Sequence, residues 1–210
     1  MDKLQEQIFA RHDKAVLAAL RASTVAVAGA GGLGSNAAVS LARAGVGRLI
    51  IADFDRVEPS NLNRQQFEVR QIGLRKVKAL AANLKRQAPY TAVLAHDVRV
   101  TASNVGELFG GADLLIEAFD RADQKAMLIS AWLKLFPSRP VISASGLAGC
   151  GGNARLKTRR IGRLYVCGDG TSEVPPGLSP MAPRVALVAN MQANLAVELL
   201  VKLKKEKPRR

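Results

Sequence analysis

A glycine-rich turn between an apolar segment and a helix-like segment restricts this chain more than any other feature of its sequence. Residues 23–29, STVAVAG, predict a short buried strand, and the turn that follows spells GAGGLG, with glycines at Gly29, Gly31, Gly32 and Gly34. Because such a turn has few side chains, backbone N–H groups and a helix N-terminus approach a phosphate closely. The motif predicts a nucleotide site and leaves NAD, flavin and ATP open.

Strands and helices alternate along the rest of the chain, which is typical of a mostly parallel sheet with helices on both faces. The predicted strands cover 23–29, 47–53, 91–98, 112–119 and 139–146, and the predicted helices cover 32–44, 74–87, 123–136 and 184–203. Two short segments, 153–158 and 163–167, predict a hairpin that adds an antiparallel pair near the C-terminal part. The predicted fold class is therefore α/β and Rossmann-like.

One domain over residues 1–210 is the simplest organisation, with an N-terminal helical arm at 1–22 and a basic tail at 203–210. No apolar run is long enough to cross a membrane, and the first residues do not resemble a secretory signal. We therefore expect a cytoplasmic protein without a membrane partner.

The distribution of positive charge decides what the formal net charge of +14 implies. The last ten residues, VKLKKEKPRR, carry a net +5, and residues 155–163, RLKTRRIGR, carry another +5, which leaves +4 for the rest of the chain. Solvated surface explains such runs most simply, so we expect no nucleic-acid partner. A basic face would still help to capture ATP or an acidic partner.

Polar and basic residues follow the second predicted strand. Asp53 ends that strand, where a carboxylate accepts hydrogen bonds from ribose hydroxyls. Asn61 and Arg64 lie in the next loop, and Lys76 lies in the first turns of the helix after it. The glycine turn already serves the two phosphates of a dinucleotide. The extra cations favour a triphosphate, because the charge of a leaving pyrophosphate must be neutralised.

An acidic residue, Asp120, ends the apolar segment IEAFD and faces the same predicted sheet edge as Gly31 and Asp53. Ligands of open α/β sheets bind at this edge. A carboxylate there can bind one face of Mg²⁺, whose other positions are taken by water and phosphate oxygens. Helix capping by Asp120, or by Asp123 in its place, is the alternative, and the local sequence leaves both open.

Together these motifs resemble the ThiF/MoeB-type adenylyltransferase family, whose fold is shared by ubiquitin-activating enzymes. The resemblance rests on GAGGLGSNAAVSLARAGVGRLIIADFD, NLNRQQF, IGLRKVKAL with NLKRQAP, and EAFD, in order and spacing over about residues 5–145. It implies a ligand set in which Asp53 binds ribose, Asn61, Arg64 and Lys76 bind the ATP phosphates, and Asp120 holds Mg²⁺.

The family resemblance also implies a homodimer and a reaction. Arg11, in QIFARHDK, would reach the triphosphate bound by the partner subunit. The remaining stretch resembles a short ThiF-like branch linked to thiamine biosynthesis. The implied reaction is ATP- and Mg²⁺-dependent adenylylation of the C-terminal glycine carboxylate of a small ThiS-like sulfur-carrier protein ending in Gly-Gly, which releases pyrophosphate.

The two cysteines, Cys150 and Cys167, form neither a disulfide framework nor a four-thiolate zinc site. The chain lacks the paired CxxC motifs of its larger zinc-binding relatives, so no zinc is predicted. Cys150, in LAGCGGN, is the candidate for a covalent bond with the carrier. We interpret it instead as a small buried thiol that serves packing.

Three alternatives remain open. The glycine turn alone suits an NAD(P)-dependent oxidoreductase. A binding module could keep the fold and lose the chemistry, although the retained Asp53, Asn61, Arg64, Lys76 and Asp120 argue against it. The third is an ATP-dependent tRNA-modifying dehydratase of the same fold, similar to relatives that cyclise a modified adenosine in transfer RNA. The net charge of +14 makes this alternative worth testing.

Overall fold

Seven α-helices and seven strands occupy residues 3–206, the part of the chain that the computed structural model describes. The helices are α1 (Lys3–Ile8), α2 (Lys14–Arg21), α3 (Gly32–Ala44), α4 (Lys76–Gln87), α5 (Val105–Phe109), α6 (Ala122–Leu135) and α7 (Ala182–Glu206). The strands are β1 (Thr24–Ala28), β2 (Arg48–Asp53), β3 (Ala92–Asp97), β4 (Leu114–Glu117), β5 (Val141–Ala144), β6 (Lys157–Ile161) and β7 (Leu164–Gly168).

All seven strands join one sheet in the order β3-β2-β1-β4-β5-β7-β6. Neighbouring strands run parallel except for β6, which is antiparallel to β7. The predicted fold class, with its short antiparallel addition, is confirmed. The first strand of the hairpin begins later than predicted, at Lys157, because residues 153–155 form a 3₁₀ turn instead.

The two faces of the sheet bury two apolar clusters, because alternate residues of a strand point to opposite faces. Val25 and Val27 of β1 pack with α3, α4 and α7 on one face. Ala26 and Ala28 pack with α5 and α6 on the other. Helices therefore cover both faces, which is why the central strands are apolar along most of their length.

The last helix, α7, is apolar because it belongs to this core. By length and composition its residues 182–205 would suit a membrane span, with a mean hydropathy of 1.3. Its inner residues Val188, Ala189, Ala196 and Leu200 nevertheless pack into the first cluster. The helix continues to Glu206, and the rest of the predicted basic tail at 203–210 lies outside the described residues.

The strand order places a switch point between β1 and β4. From β1 the chain continues through α3 to β2 on one side, and from β4 it continues through α6 to β5 on the other. Connections that leave two neighbouring parallel strands in opposite directions open a crevice at their carboxyl ends, where ligands of such sheets bind. The glycine turn follows β1, and the turn carrying Asp120 follows β4.

Candidate nucleotide site

The glycine turn forms one wall of this crevice, and two of its glycines have no room for a side chain. Gly29 has a φ of 97°, and a Cβ there would lie 2.8 Å from the carbonyl oxygen of Ala118. A Cβ on Gly34 would lie 1.8 Å from the carbonyl oxygen of Gly29. Gly31 is the N-cap of α3 and has no side chain to occupy the N–H groups of the first turn. These groups can bind an anion.

Asp53, at the carboxyl end of β2, is bonded to the glycine turn. One carboxylate oxygen accepts from the backbone N–H of Ala30 at 2.6 Å, and the other accepts from the N–H of Asp55 at 2.7 Å. Burial raises the pKa of Asp53, while these two hydrogen bonds act against the rise. The carboxylate predicted to bind ribose therefore lies next to the predicted phosphate loop.

Arg64 lies against the same turn. A Cβ on Gly32 would lie 3.6 Å from Cγ of Arg64. The loop is held there because the Asn36 side chain donates to the carbonyl of Arg64 at 2.9 Å and Ser35 Oγ accepts from the N–H of Gln66 at 3.1 Å. Arg64 is half-buried, but its guanidinium donates to the Ser60 carbonyl at 3.0 Å in an exposed hydrogen bond, so the group is available to a phosphate.

Two buried amides flank Arg64. Asn61 ends a 3₁₀ turn, and its side-chain oxygen accepts from the N–H of Glu58 at 3.1 Å. In this structure it shapes the loop, and the predicted phosphate contact of Asn61 stays a prediction. Gln65 Nε2 lies 3.9 Å from the position of a Cβ on Gly31, while its Oε1 is buried without a hydrogen-bond partner. Such an oxygen has bonding capacity for a ligand donor.

Lys76 begins α4 and is buried. Its Nζ lies 3.0 Å from a carboxylate oxygen of Asp55. The backbone N–H of Lys76 donates to the backbone carbonyl of Asp55 at 2.9 Å. The Lys76 charge lowers the pKa of Asp53, although burial outweighs it. Lys76 and Asp53 thus stand on the same side of the crevice, and Asp55 is half-exposed at its rim.

Asp120 lies in the turn after β4 and is exposed. The N-cap of α6 is Arg121, which pairs with Asp123 at 3.0 Å, so neither predicted capping arrangement is found. Across residues 3–206, no group of three or more His, Cys, Asp or Glu side chains could hold a metal ion. Asp120 therefore suits Mg²⁺ only as a single protein ligand, with water and phosphate oxygens completing the shell.

Two residues that sequence reasoning missed support this turn. Glu117, the last residue of β4, is fully buried and accepts from the N–H of Phe119 at 2.7 Å and from Ser143 Oγ at 2.6 Å. The Nζ of Lys125 lies 2.6 Å from the same carboxylate. The signal in the sequence is the charged residue that ends the otherwise apolar segment LLIE.

A second buried ion pair fixes the loop after β7. Asp169 and Arg184 lie 2.5 Å apart with side chains 2% exposed. Asp169 also accepts from the N–H groups of Thr171 and Ser172, and Arg184 donates to the Gly151 carbonyl at 2.6 Å. The pair therefore ties two loops at the carboxyl edge to the start of α7.

Two sequence predictions concern residues outside this crevice. Arg11 follows Phe9, whose ring packs on Tyr90 and on Gly45 at the end of α3, the opposite edge of the sheet. The chain does not bring Arg11 to its own glycine turn, and donation to a partner subunit stays a prediction.

Cys150 is exposed, so its interpretation as a buried packing residue is wrong, whereas Cys167 is buried.

Comparison with known proteins places this site in a family. A model described as the ThiF family matches residues 4–210. The adenylyltransferase and sulfurtransferase UBA4 of Eremothecium gossypii is 32% identical over 83% of this chain, and MOCS3 of Aedes aegypti, described in the same words, is 31% identical over 70%. The chain spans 37% and 36% of the length of these two relatives.

Solved structures extend the likeness to the whole fold. The Escherichia coli tRNA N6-threonylcarbamoyladenosine dehydratase TcdA, in complex with ATP, superposes with a TM-score of 0.87 at 22% identity, over 98% of this chain and 99% of that chain. Escherichia coli MccB with MccA-N7isoASN gives a TM-score of 0.73 at 20% identity, over 94% of this chain and 64% of that chain.

These comparisons contradict the function predicted from the sequence. Adenylylation of a ThiS-like carrier for thiamine biosynthesis is not specifically supported, because four TcdA structures match over 98% or more of their length and the two curated relatives above are described as UBA4 and MOCS3.

Proposed function

Because this chain belongs to the ThiF family, we propose that it is an ATP-dependent enzyme that activates a carboxylate carried by a modified adenosine of transfer RNA. The observation that carries the proposal is the end-to-end likeness to a tRNA N6-threonylcarbamoyladenosine dehydratase, at a TM-score of 0.87 and with 99% of that chain covered. The net charge of +14 supports it, since a polyanionic substrate is attracted to a basic protein.

In this proposal, ATP binds in the crevice between β1 and β4. Its phosphates lie at the N-terminus of α3 and are approached by Arg64 and Lys76, while Asp53 accepts from the ribose. Lys76 would exchange part of its contact with Asp55 for a phosphate oxygen. Asp120 would hold Mg²⁺, which neutralises phosphate charge when bound.

The chemistry needs alignment and charge neutralisation, and no protein nucleophile. A carboxylate oxygen of the substrate attacks the α-phosphorus of ATP, and the bond from that phosphorus to pyrophosphate breaks. A second nucleophilic group of the same nucleoside then attacks the acyl carbon and loses its proton to solvent. AMP leaves with the former carboxylate oxygen, so the nucleoside has lost one water in total.

The test is AMP formation with transfer RNA that carries threonylcarbamoyladenosine, compared with the same RNA lacking that group. We expect AMP and pyrophosphate only with the modified RNA, and mass spectrometry should show a nucleoside that has lost one water. Asp120→Ala should abolish the reaction without unfolding the protein. AMP formation that does not depend on RNA, or that requires a protein ending in Gly-Gly, would refute the proposal.

A further inference from the structure

One edge of the sheet carries a continuous set of cations. β6 lies at one edge of the sheet, and no strand within residues 3–206 pairs with its outer side. All five of its residues are exposed. Together with its flanking residues it forms what we name the basic edge, which consists of Arg155, Lys157, Arg159, Arg160 and Arg163 and contains no Asp or Glu.

The charge of the basic edge is not neutralised by carboxylates. In the described part of the chain, no ion pair includes any of its five cations. Arg159 donates to the carbonyl of Asp169 at 3.1 Å, and Arg160 donates to the carbonyl of Gly162 at 3.0 Å. Backbone carbonyls orient these guanidinium groups but leave their full positive charge for an external anion.

A groove runs between the basic edge and α7. It has a volume of about 410 Å³ and is lined by Arg160, Tyr165, Met191 and Glu198, among others. Glu198, its one acidic residue, already pairs with Lys202 one turn further along α7. The groove therefore adds surface beside the cations without adding free negative charge.

The basic edge begins on the same side of the sheet as the nucleotide crevice. Because β6 is antiparallel to β7, Lys157 lies opposite Gly168, at the carboxyl edge. Arg159 contacts the loop at Asp169. Three strand spacings separate β6 from β4, or about 15 Å at the usual distance between strands. A polymer that lies on the basic edge can thus reach the crevice, whereas a small metabolite cannot touch both.

We propose that the basic edge binds the phosphate backbone of the substrate transfer RNA and so presents the modified adenosine to the crevice. The identity of the polymer rests on the function proposed above, and the position of its contacts rests on the charge and geometry of β6. Cations on an edge strand also prevent pairing with other sheets. That role alone predicts self-association, and unchanged RNA affinity, when the charges are removed.

The test compares two triple variants with the same change of charge. The first, the edge variant, combines Lys157→Gln, Arg160→Gln and Arg163→Gln. Its control combines Lys14→Gln, Lys85→Gln and Lys134→Gln, three exposed lysines on helices α2, α4 and α6. Transfer RNA affinity is measured by fluorescence anisotropy from about 50 to 300 mM salt. Circular dichroism, sedimentation and ATP affinity verify that each variant is folded, monodisperse and able to bind nucleotide.

We expect the edge variant to lose at least tenfold in affinity at the lowest salt, and its plot of log affinity against log salt to flatten by about 2 to 3, as for three lost phosphate contacts. The control should follow the wild type. Equal affinity and slope in the edge variant would overturn the inference, as would loss of binding to anionic phosphatidylserine vesicles with RNA binding intact.

Turnover separates this inference from the proposed function. If modified transfer RNA stimulates AMP formation by the wild type and by the edge variant with the same KM for RNA, the basic edge is excluded and the function stands. If RNA binds through the basic edge but no RNA stimulates AMP formation, the function fails and the surface stands.

Discussion

The side-chain nitrogen of Lys125 lies 2.6 Å from a carboxylate oxygen of Glu117, and both groups bind the backbone of Phe119, the residue before Asp120. The pair sits at the end of β4, next to the switch point. A buried carboxylate, a lysine and a backbone turn thus form one unit beneath the proposed metal ligand.

Removal of the lysine should cost more stability than removal of both charges. Lys125→Met leaves the buried Glu117 carboxylate without a cation, and we expect a loss of about 3 kcal/mol in the free energy of unfolding. Glu117→Gln combined with Lys125→Met should recover at least about 1 kcal/mol of that loss. Urea unfolding of the two single variants and the double variant gives the coupling. A Lys125→Met protein as stable as wild type would contradict it.

Gly34 should not tolerate even a methyl group. A Cβ there would lie 1.8 Å from the backbone oxygen of Gly29, so the glycine turn would have to move. We expect Gly34→Ala to destabilise by about 2 to 3 kcal/mol and to weaken ATP binding, measured by calorimetry. Gly111→Ala is the control, because nothing lies within 4 Å of its added Cβ. Similar behaviour of the two variants would show that the turn is not packed as described.

Arg64 should matter for turnover far more than for stability. Arg64 is half-buried, and its guanidinium makes two exposed hydrogen bonds, to one backbone carbonyl and to the Asn63 side chain. We expect Arg64→Ala to lower RNA-dependent AMP formation by about 10²- to 10³-fold, with a melting temperature within about 2 °C of wild type. Lys78→Ala, an exposed residue of α4, should leave both unchanged. A large drop in melting temperature with normal turnover would reverse the assignment.

The Asp169–Arg184 pair should give the protein a pH-dependent stability below about pH 4. The N–H groups of Ser172 and Thr171, and then Arg184, hold the pKa of Asp169 well below its ordinary value of 3.8. Because the unfolded chain binds this proton more readily, the carboxylate stabilises the fold above that value, and the contribution is lost as the pH falls.

We therefore expect the stability difference between wild type and Asp169→Asn to be constant from about pH 5 to 8 and to shrink below about pH 4. Urea midpoints measured across this range are the readout. Glu198→Gln, which removes a surface pair with Lys202, should show a smaller difference throughout. A difference for Asp169→Asn that is the same at low and neutral pH would contradict the assignment.

Local sequence patterns are sufficient to predict the sheet and the glycine turn. Apolar runs ended by Asp53 and by the segment around Asp120 predict strands whose carboxyl ends share one edge, and glycine spacing predicts the turn between them. These signals act over a few residues, because they reflect burial on both faces of a strand and the absence of a Cβ.

Contacts between segments that are distant in sequence are not predicted by any local pattern of this kind. Asp169 and Arg184 meet only because β7 and α7 pack together, and the sequence marks neither as a partner of the other. The sequence predicts a buried Cys150, yet this residue, in the glycine-rich segment after β5, is exposed. The substrate predicted from the sequence is also wrong, since membership of the ThiF family does not specify which carboxylate is activated.

A crystal structure of this protein with a non-hydrolysable ATP analogue tests the central claim most directly. The account predicts triphosphate oxygens at the N-terminus of α3, the ribose at Asp53, and the side chains of Arg64 and Lys76 in contact with phosphate. A nucleotide bound elsewhere, or bound in the crevice with Arg64 still on the Ser60 carbonyl and Lys76 still on Asp55, would contradict it.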